Sequence, residues 1–149
     1  MGCVLHFSGP TLDVDGLLSL CPVEPCTLFR KGEPLSSRPN SRLCAISGLN
    51  IEVSDADFDN FEQQQADAIQ FLAKHHSALM QMRNSAGVDS AAMDFGIAMR
   101  NVISQSDTFD ADLISVMAPL RLALVLSQYP VAKKSHLIRR YRRALRKAI

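Results

Sequence analysis

Cys3, Leu5 and Phe7 alternate with Val4, His6 and Ser8, and Gly9-Pro10 closes the run, a period-two spacing that predicts a first strand and a turn. Val14, Leu17, Leu18 and Cys21 then fall at three- and four-residue steps, predicting a short helix capped by Asp13 or Thr11 and stopped by Pro22. From Pro22 to Ser41 four prolines stand among Gly32, Ser36, Ser37, Asn40 and Ser41, a composition that favours an irregular loop. Loops of that length in a small domain are often functional. Leu43 to Ser54 reads as a second strand, because Leu49, Ile51 and Val53 alternate with Asn50, Glu52 and Ser54.

Ser54 and Asp57 form a capping-box pattern with Asp in place of the usual Glu. After it Phe58, Phe61, Ala68, Ile69, Leu72, Leu79 and Met82 recur at helical intervals, predicting a long amphipathic helix over 55–84 that ends near Gly87. Gln63, Gln64, Asp67, Gln70 and Lys74 make its polar face. Met93, Phe95, Ile97 and Met99 alternate with Asp94, Gly96 and Ala98 as a third strand, and Asp110 caps a short helix bounded by Pro119. Leu122 to Tyr129 is almost continuously apolar, which predicts a central strand covered on both sides. The expected fold is therefore α+β: a two-layer sandwich of the ferredoxin-like kind, with a four-stranded sheet and helices mainly on one face. Residues 1–131 would form this domain, and 132–149 a basic amphipathic C-terminal helix.

Composition supports one domain, since 149 residues with 47% hydrophobic content can close a single core. No run approaches the roughly 20 apolar residues of a membrane span, and Met1–Phe7 has no basic segment leading into a longer apolar one, so neither a transmembrane helix nor a secretory signal is expected. Cytoplasmic location follows as the expectation, with Cys3, Cys21, Cys26 and Cys44 as reduced thiols. Gly2 invites acylation, but the lipidation pattern wants Ser or Thr where His6 stands.

Charge changes the picture more. Lys133, Lys134, Arg139, Arg140, Arg142, Arg143, Arg146 and Lys147 hold eight of the 16 basic residues, whereas residues 1–132 hold the other eight and all 15 acidic ones, a net −7.

Leu5-His6-Phe7-Ser8-Gly9, Val23-Glu24-Pro25 and Arg30-Lys31-Gly32-Glu33 resemble the opening of small bacterial domains of unknown function. Met93-Asp94-Phe95-Gly96-Ile97, the capped helix at Asp110, and Leu124-Val125-Leu126-Ser127-Gln128-Tyr129-Pro130 are similar to the later elements of such domains. The resemblance implies an α+β sandwich in a bacterial cytoplasm and carries over no catalytic residues. Pro119 and the basic tail depart from its pattern.

Candidate chemistry is scattered along the chain. His75 and His76 are adjacent, about 100° apart on a helix, and so are badly placed to share a metal, which prefers ligands three or four residues apart. Asp55, Asp57, Asp59 and Glu62 crowd a helix start, where carboxylates meet unsatisfied amides. Cys21 and Cys26 are separated by four residues, matching neither the two-residue redox spacing nor the usual zinc knuckle. No catalytic constellation, metal site or cofactor is read from these residues. Arg30, Lys31, Arg38 and Arg42 gather in the long loop as a landing place for an anion or acidic partner.

In the tail Leu137, Ile138, Tyr141, Leu145 and Ile149 form an apolar stripe, and Arg139, Arg140, Arg142, Arg143 and Arg146 cover the remainder. That stripe can pack on the acidic body; the arginines with Tyr141 can instead bind phosphates and a base, or a membrane surface or acidic protein can receive them. The leading expectation is a non-enzymatic interaction module that binds another macromolecule, most simply a protein, through Arg30 and Lys31 in the loop, through Arg139, Arg140, Tyr141, Arg142, Arg143 and Arg146, or through both. A nucleic-acid-binding protein using the basic helix and a thiol-dependent enzyme using Cys21 or Cys26 are the alternatives, and homodimerisation stays open.

Overall fold

In the computed structural model, which describes residues 2–130, the leading alternation becomes β1 (Cys3–Gly9), with Cys3, Leu5 and Phe7 buried on one face and Val4, His6 and Ser8 half-buried on the other. Asp13 caps α1 (Val14–Leu20) by accepting from the Gly16 amide, and Cys21 ends it before Pro22. Next come β2 (Thr27–Phe29), β3 (Ser47–Ser54), α2 (Phe61–Arg83), β4 (Ser90–Met99), α3 (Ala111–Met117) and β5 (Ala123–Pro130). The fold is α+β with a five-stranded mixed sheet and three helices among the described residues.

The strand order is β2-β3-β1-β4-β5. β1 lies at the centre, antiparallel to both β3 and β4, while β2 is antiparallel to β3 and β5 runs parallel to β4. One face of this sheet supplies Leu5, Phe7, Leu49, Ile51, Met93 and Phe95 to a core completed by Val14 and Leu17 of α1, Ala68, Leu72, Leu79 and Met82 of α2, and Leu113 and Met117 of α3. Burying each large side chain there contributes about 1.5–3 kcal/mol.

Several expectations need correction. The sheet has five strands and not four, because Thr27–Phe29, inside the Pro-rich stretch read as irregular, pairs with Asn50, Leu49 and Gly48. The rest of that stretch folds back on itself: the Gly32 amide donates to the Cys44 carbonyl, Cys44 to Glu33, and Leu35 to Arg42. Gly32 turns the chain with φ +84°, a conformation a glycine adopts without strain. β5 is an edge strand, and its Leu124, Val125 and Leu126 are 36–39% exposed, so the apolar run does not mark a strand covered on both sides.

The long helix begins at Phe61 rather than at 55, with Asn60 as its cap. Ser54 instead organises a turn, its Oγ accepting from the Ala56 amide and donating to Asp67 Oδ2 at 2.6 Å. Phe58 accordingly leaves the helical stripe. Gln64, assigned to the polar face, is fully buried and donates to the carbonyls of Gly96 (2.8 Å) and Asp57 (3.1 Å). The proposed helix over 132–149 lies outside the described residues.

Candidate functional site

The face of the sheet turned away from the helices collects the side chains that the core alternation excludes. Val4 and His6 of β1 stand opposite Glu52 and Asn50 of β3 on one side and Asp94 and Ala92 of β4 on the other. β5 places Val125, Ser127 and Tyr129 beside Asp94, Gly96 and Ala98. A cavity of about 380 Å³ opens on this face, lined by residues that include His6, Cys26, Asn50, Phe58, Asp94 and Tyr129.

A polar row runs across its floor. His6 Nδ1–H donates to Asn50 Oδ1 at 2.8 Å, His6 Nε2 lies 3.8 Å from Asp94 Oδ2, and Ser127 Oγ donates to that same oxygen at 3.0 Å. Asp94 Oδ1 is buried and has no hydrogen-bond partner among the described residues. An unpartnered buried carboxylate oxygen is costly, and a donor arriving there would be favoured. One wall is aromatic: Phe58 and Tyr129 stack with ring centroids 4.6 Å apart and planes 8° from parallel. Gly96 permits this, since a Cβ at that position would meet Phe58 Cε1 at 2.8 Å. Among the described residues, Asp94 is the one carboxylate of the lining, and neither Lys nor Arg contributes to it. The geometry suits a group that combines positive charge or several N–H donors with a flat surface.

The residues singled out from the sequence lie elsewhere. Arg30 forms a 2.6 Å ion pair with Asp15, whose hydrogen bond holds the guanidinium pKa up and the carboxyl pKa down. Lys31 is exposed and donates to the Pro10 carbonyl at 3.3 Å. Both are thus tied to the α1 end of the fold and are not brought into the open-face cavity. Arg139, Arg140, Tyr141, Arg142, Arg143 and Arg146 lie outside the described residues.

His75 is half-buried with its ring 4.7 Å from that of Phe71, and His76 is exposed. All four cysteines are free thiols. Burial pushes up the pKa of Cys21, and that of Cys3 more strongly, where the charges of Asp94 and Asp67 add to it. Exposed Cys26 caps the cavity edge, its Sγ donating to the Asn50 carbonyl at 3.3 Å.

Residues His6, Asn50, Asp94 and Ser127 were missed because each occupies an unremarkable polar position in its own alternating strand. Register alone unites them, although the recurrence of a polar side chain on the outward face of four strands is the signal that marks such a row.

A second cavity, about 460 Å³, sits at the start of α2, where Arg100 is held by Asp107 Oδ1 (2.7 Å) and the Ser106 carbonyl. Its one cation among the described residues is therefore already paired with a neighbouring carboxylate. Among the described residues no helix is long and apolar enough to cross a membrane. Compared with known proteins, the chain matches no family model, no curated protein and no solved structure.

Proposed function

We propose that this chain is a non-enzymatic interaction module that binds another protein through the open face of its sheet. The observation that carries the proposal is the pairing of an exposed aromatic stack, Phe58 on Tyr129, with the carboxylate of Asp94, whose buried Oδ1 has no partner among the described residues, beside the half-exposed apolar strand β5. Aromatic surface next to one desolvated charge is the composition of a recognition hot spot. The partner it fits presents arginine or lysine together with apolar side chains. The net −7 over residues 1–132 favours approach of such a segment.

The polar row also fits binding better than catalysis: Ser127 Oγ gives its proton to Asp94 rather than to His6, and the raised pKa of Cys21 disfavours the thiolate a nucleophile needs. In architecture we read a ferredoxin-like sandwich, β1-α1-β2-β3-α2-β4 with strand order 2-3-1-4, extended by α3 and β5. The same build is proposed for the bacterial domains whose motifs the chain resembles.

Retention on the immobilised full chain tests this reading. The wild type and Ile114→Glu, a change at an exposed position of α3, are expected to retain the same protein, and Tyr129→Ala to lose it, with all three equally folded by circular dichroism. Retention unchanged in Tyr129→Ala, retained material that is nucleic acid and released by nuclease, or a wild-type chain that retains nothing above an unrelated control would each overturn it.

A further inference from the structure

We propose that the basic segment 131–149 of the same chain docks on the open face, with an arginine guanidinium paired to Asp94 and lying against the Phe58–Tyr129 stack. The inference rests on the reading of that face as a recognition surface and names its resident occupant, which a partner bearing arginine or lysine displaces on binding. Asp94 is 24% accessible as a side chain and its Oδ1 has no partner among the described residues, so a guanidinium entering from the groove can engage the carboxylate through both oxygens after a small turn of the soft Asp χ2 torsion. The same planar cation is attracted to the face of Tyr129, which is 45% exposed.

Charge and chain length fit as well. Eight basic residues follow Pro130 against a net −7 before them. Asp94 is level with Val125, five residues before the end of β5 and so about 17 Å from it. The nine residues from Val131 to Arg139 reach about 30 Å when extended, so Arg139 and every later arginine can return to Asp94. The stripe Leu137, Ile138, Tyr141 and Leu145 offers apolar side chains to the half-exposed Val125 and Tyr129. Tethering sets the local concentration of the segment near the millimolar range, well above that of a second copy in dilute solution.

The chain contains no tryptophan, so Tyr141→Trp in the full chain gives one indole that reports on the segment. Docking predicts blue-shifted emission and several-fold weaker acrylamide quenching than for free indole, both independent of protein concentration. Asp94→Asn, which keeps an acceptor for Ser127, should return the emission to the solvent position, as should Arg139→Gln, Arg140→Gln, Arg142→Gln, Arg143→Gln and Arg146→Gln combined in one chain, and added salt should act in the same direction. Solvent-like emission in the parent would overturn the proposal, as would a shielded indole indifferent to Asp94→Asn, or shielding that grows with protein concentration and so reports a second copy. Failure here with partner retention still lost in Tyr129→Ala would remove the tail as occupant and leave the recognition surface intact. A docked tail in a chain that retains no partner would reject the partner reading alone.

Discussion

A methyl group at position 96 would meet Phe58 Cε1 at 2.8 Å and Tyr129 Cε2 at 3.3 Å, atoms of surface rings that can turn aside. One at position 48 would meet the backbone carbonyl oxygen of Phe7 at 2.5 Å, in the central strand. Two glycines on the same face therefore predict opposite outcomes. Gly96→Ala should leave thermal stability nearly unchanged, because ordering a less flexible residue offsets the crowding by about 0.5–1 kcal/mol, yet it should break the aromatic stack and weaken open-face binding. Gly48→Ala should cost about 1–3 kcal/mol in chemical denaturation, as overpacking does. The cysteines separate as sharply. Exposed Cys26 should react first with an alkylating reagent at pH 8, Cys21 more slowly because its raised pKa lowers the thiolate fraction, and fully buried Cys3 only on unfolding. Peptide mapping of timed samples gives that order directly, and early labelling of Cys3 would contradict the placement of β1 in the core.

At the scale of elements, the start of α2 shows how side chains tie separate pieces together. Gln65, 7% exposed, donates to the Thr108 carbonyl at 3.2 Å and accepts from the Asp110 amide at 2.7 Å, so one residue of α2 fixes the entry of α3. Gln65→Leu leaves both backbone groups without that partner and should cost about 1–3 kcal/mol, with amide exchange rising at the start of α3 before it rises in β1. Such glutamines were illegible in the sequence. Gln64 reads as solvent-facing because its polarity outweighs its phase, and only the neighbouring carbonyls of Gly96 and Asp57 make its burial favourable. Where periodicity was clean, as in β1, α1, β4 and α3, the elements and the cap Asp110 were legible, and the cap of α1 was narrowed to Asp13 or Thr11, because local hydrogen bonding and a one-faced core decide them. β2 escaped notice because three residues carry too little period. β5 misled because an apolar run is equally compatible with a central strand and with an edge strand whose side chains stay exposed.

For the whole molecule, the order β2-β3-β1-β4 closes one unit in which β1 is hydrogen-bonded on both sides, and α3 with β5 is added by a single parallel crossover onto β4. Among the described residues β5 has one strand neighbour and half-exposed side chains on both faces, so its loss opens less core than the loss of any strand inside the sheet. The molecule should therefore open in two stages: native-state amide exchange in mild denaturant should show α3 and β5 exchanging together at lower free energy, with β1, β3 and β4 exchanging at global unfolding. Leu113→Ala, at a fully buried position of α3, should cost about 2–5 kcal/mol, and should lower the protection of α3–β5 at least as much as that of the central strands. A single exchange isotherm shared by β1 and β5 would show instead that the added crossover is part of the cooperative core. The same experiment reaches function through charge. If the net −7 body holds the basic segment on its open face, raising ionic strength at constant denaturant should speed exchange in β5 while leaving β1 unchanged, because screening weakens the ion pair to Asp94 and leaves the buried apolar contacts of the central strands as they are.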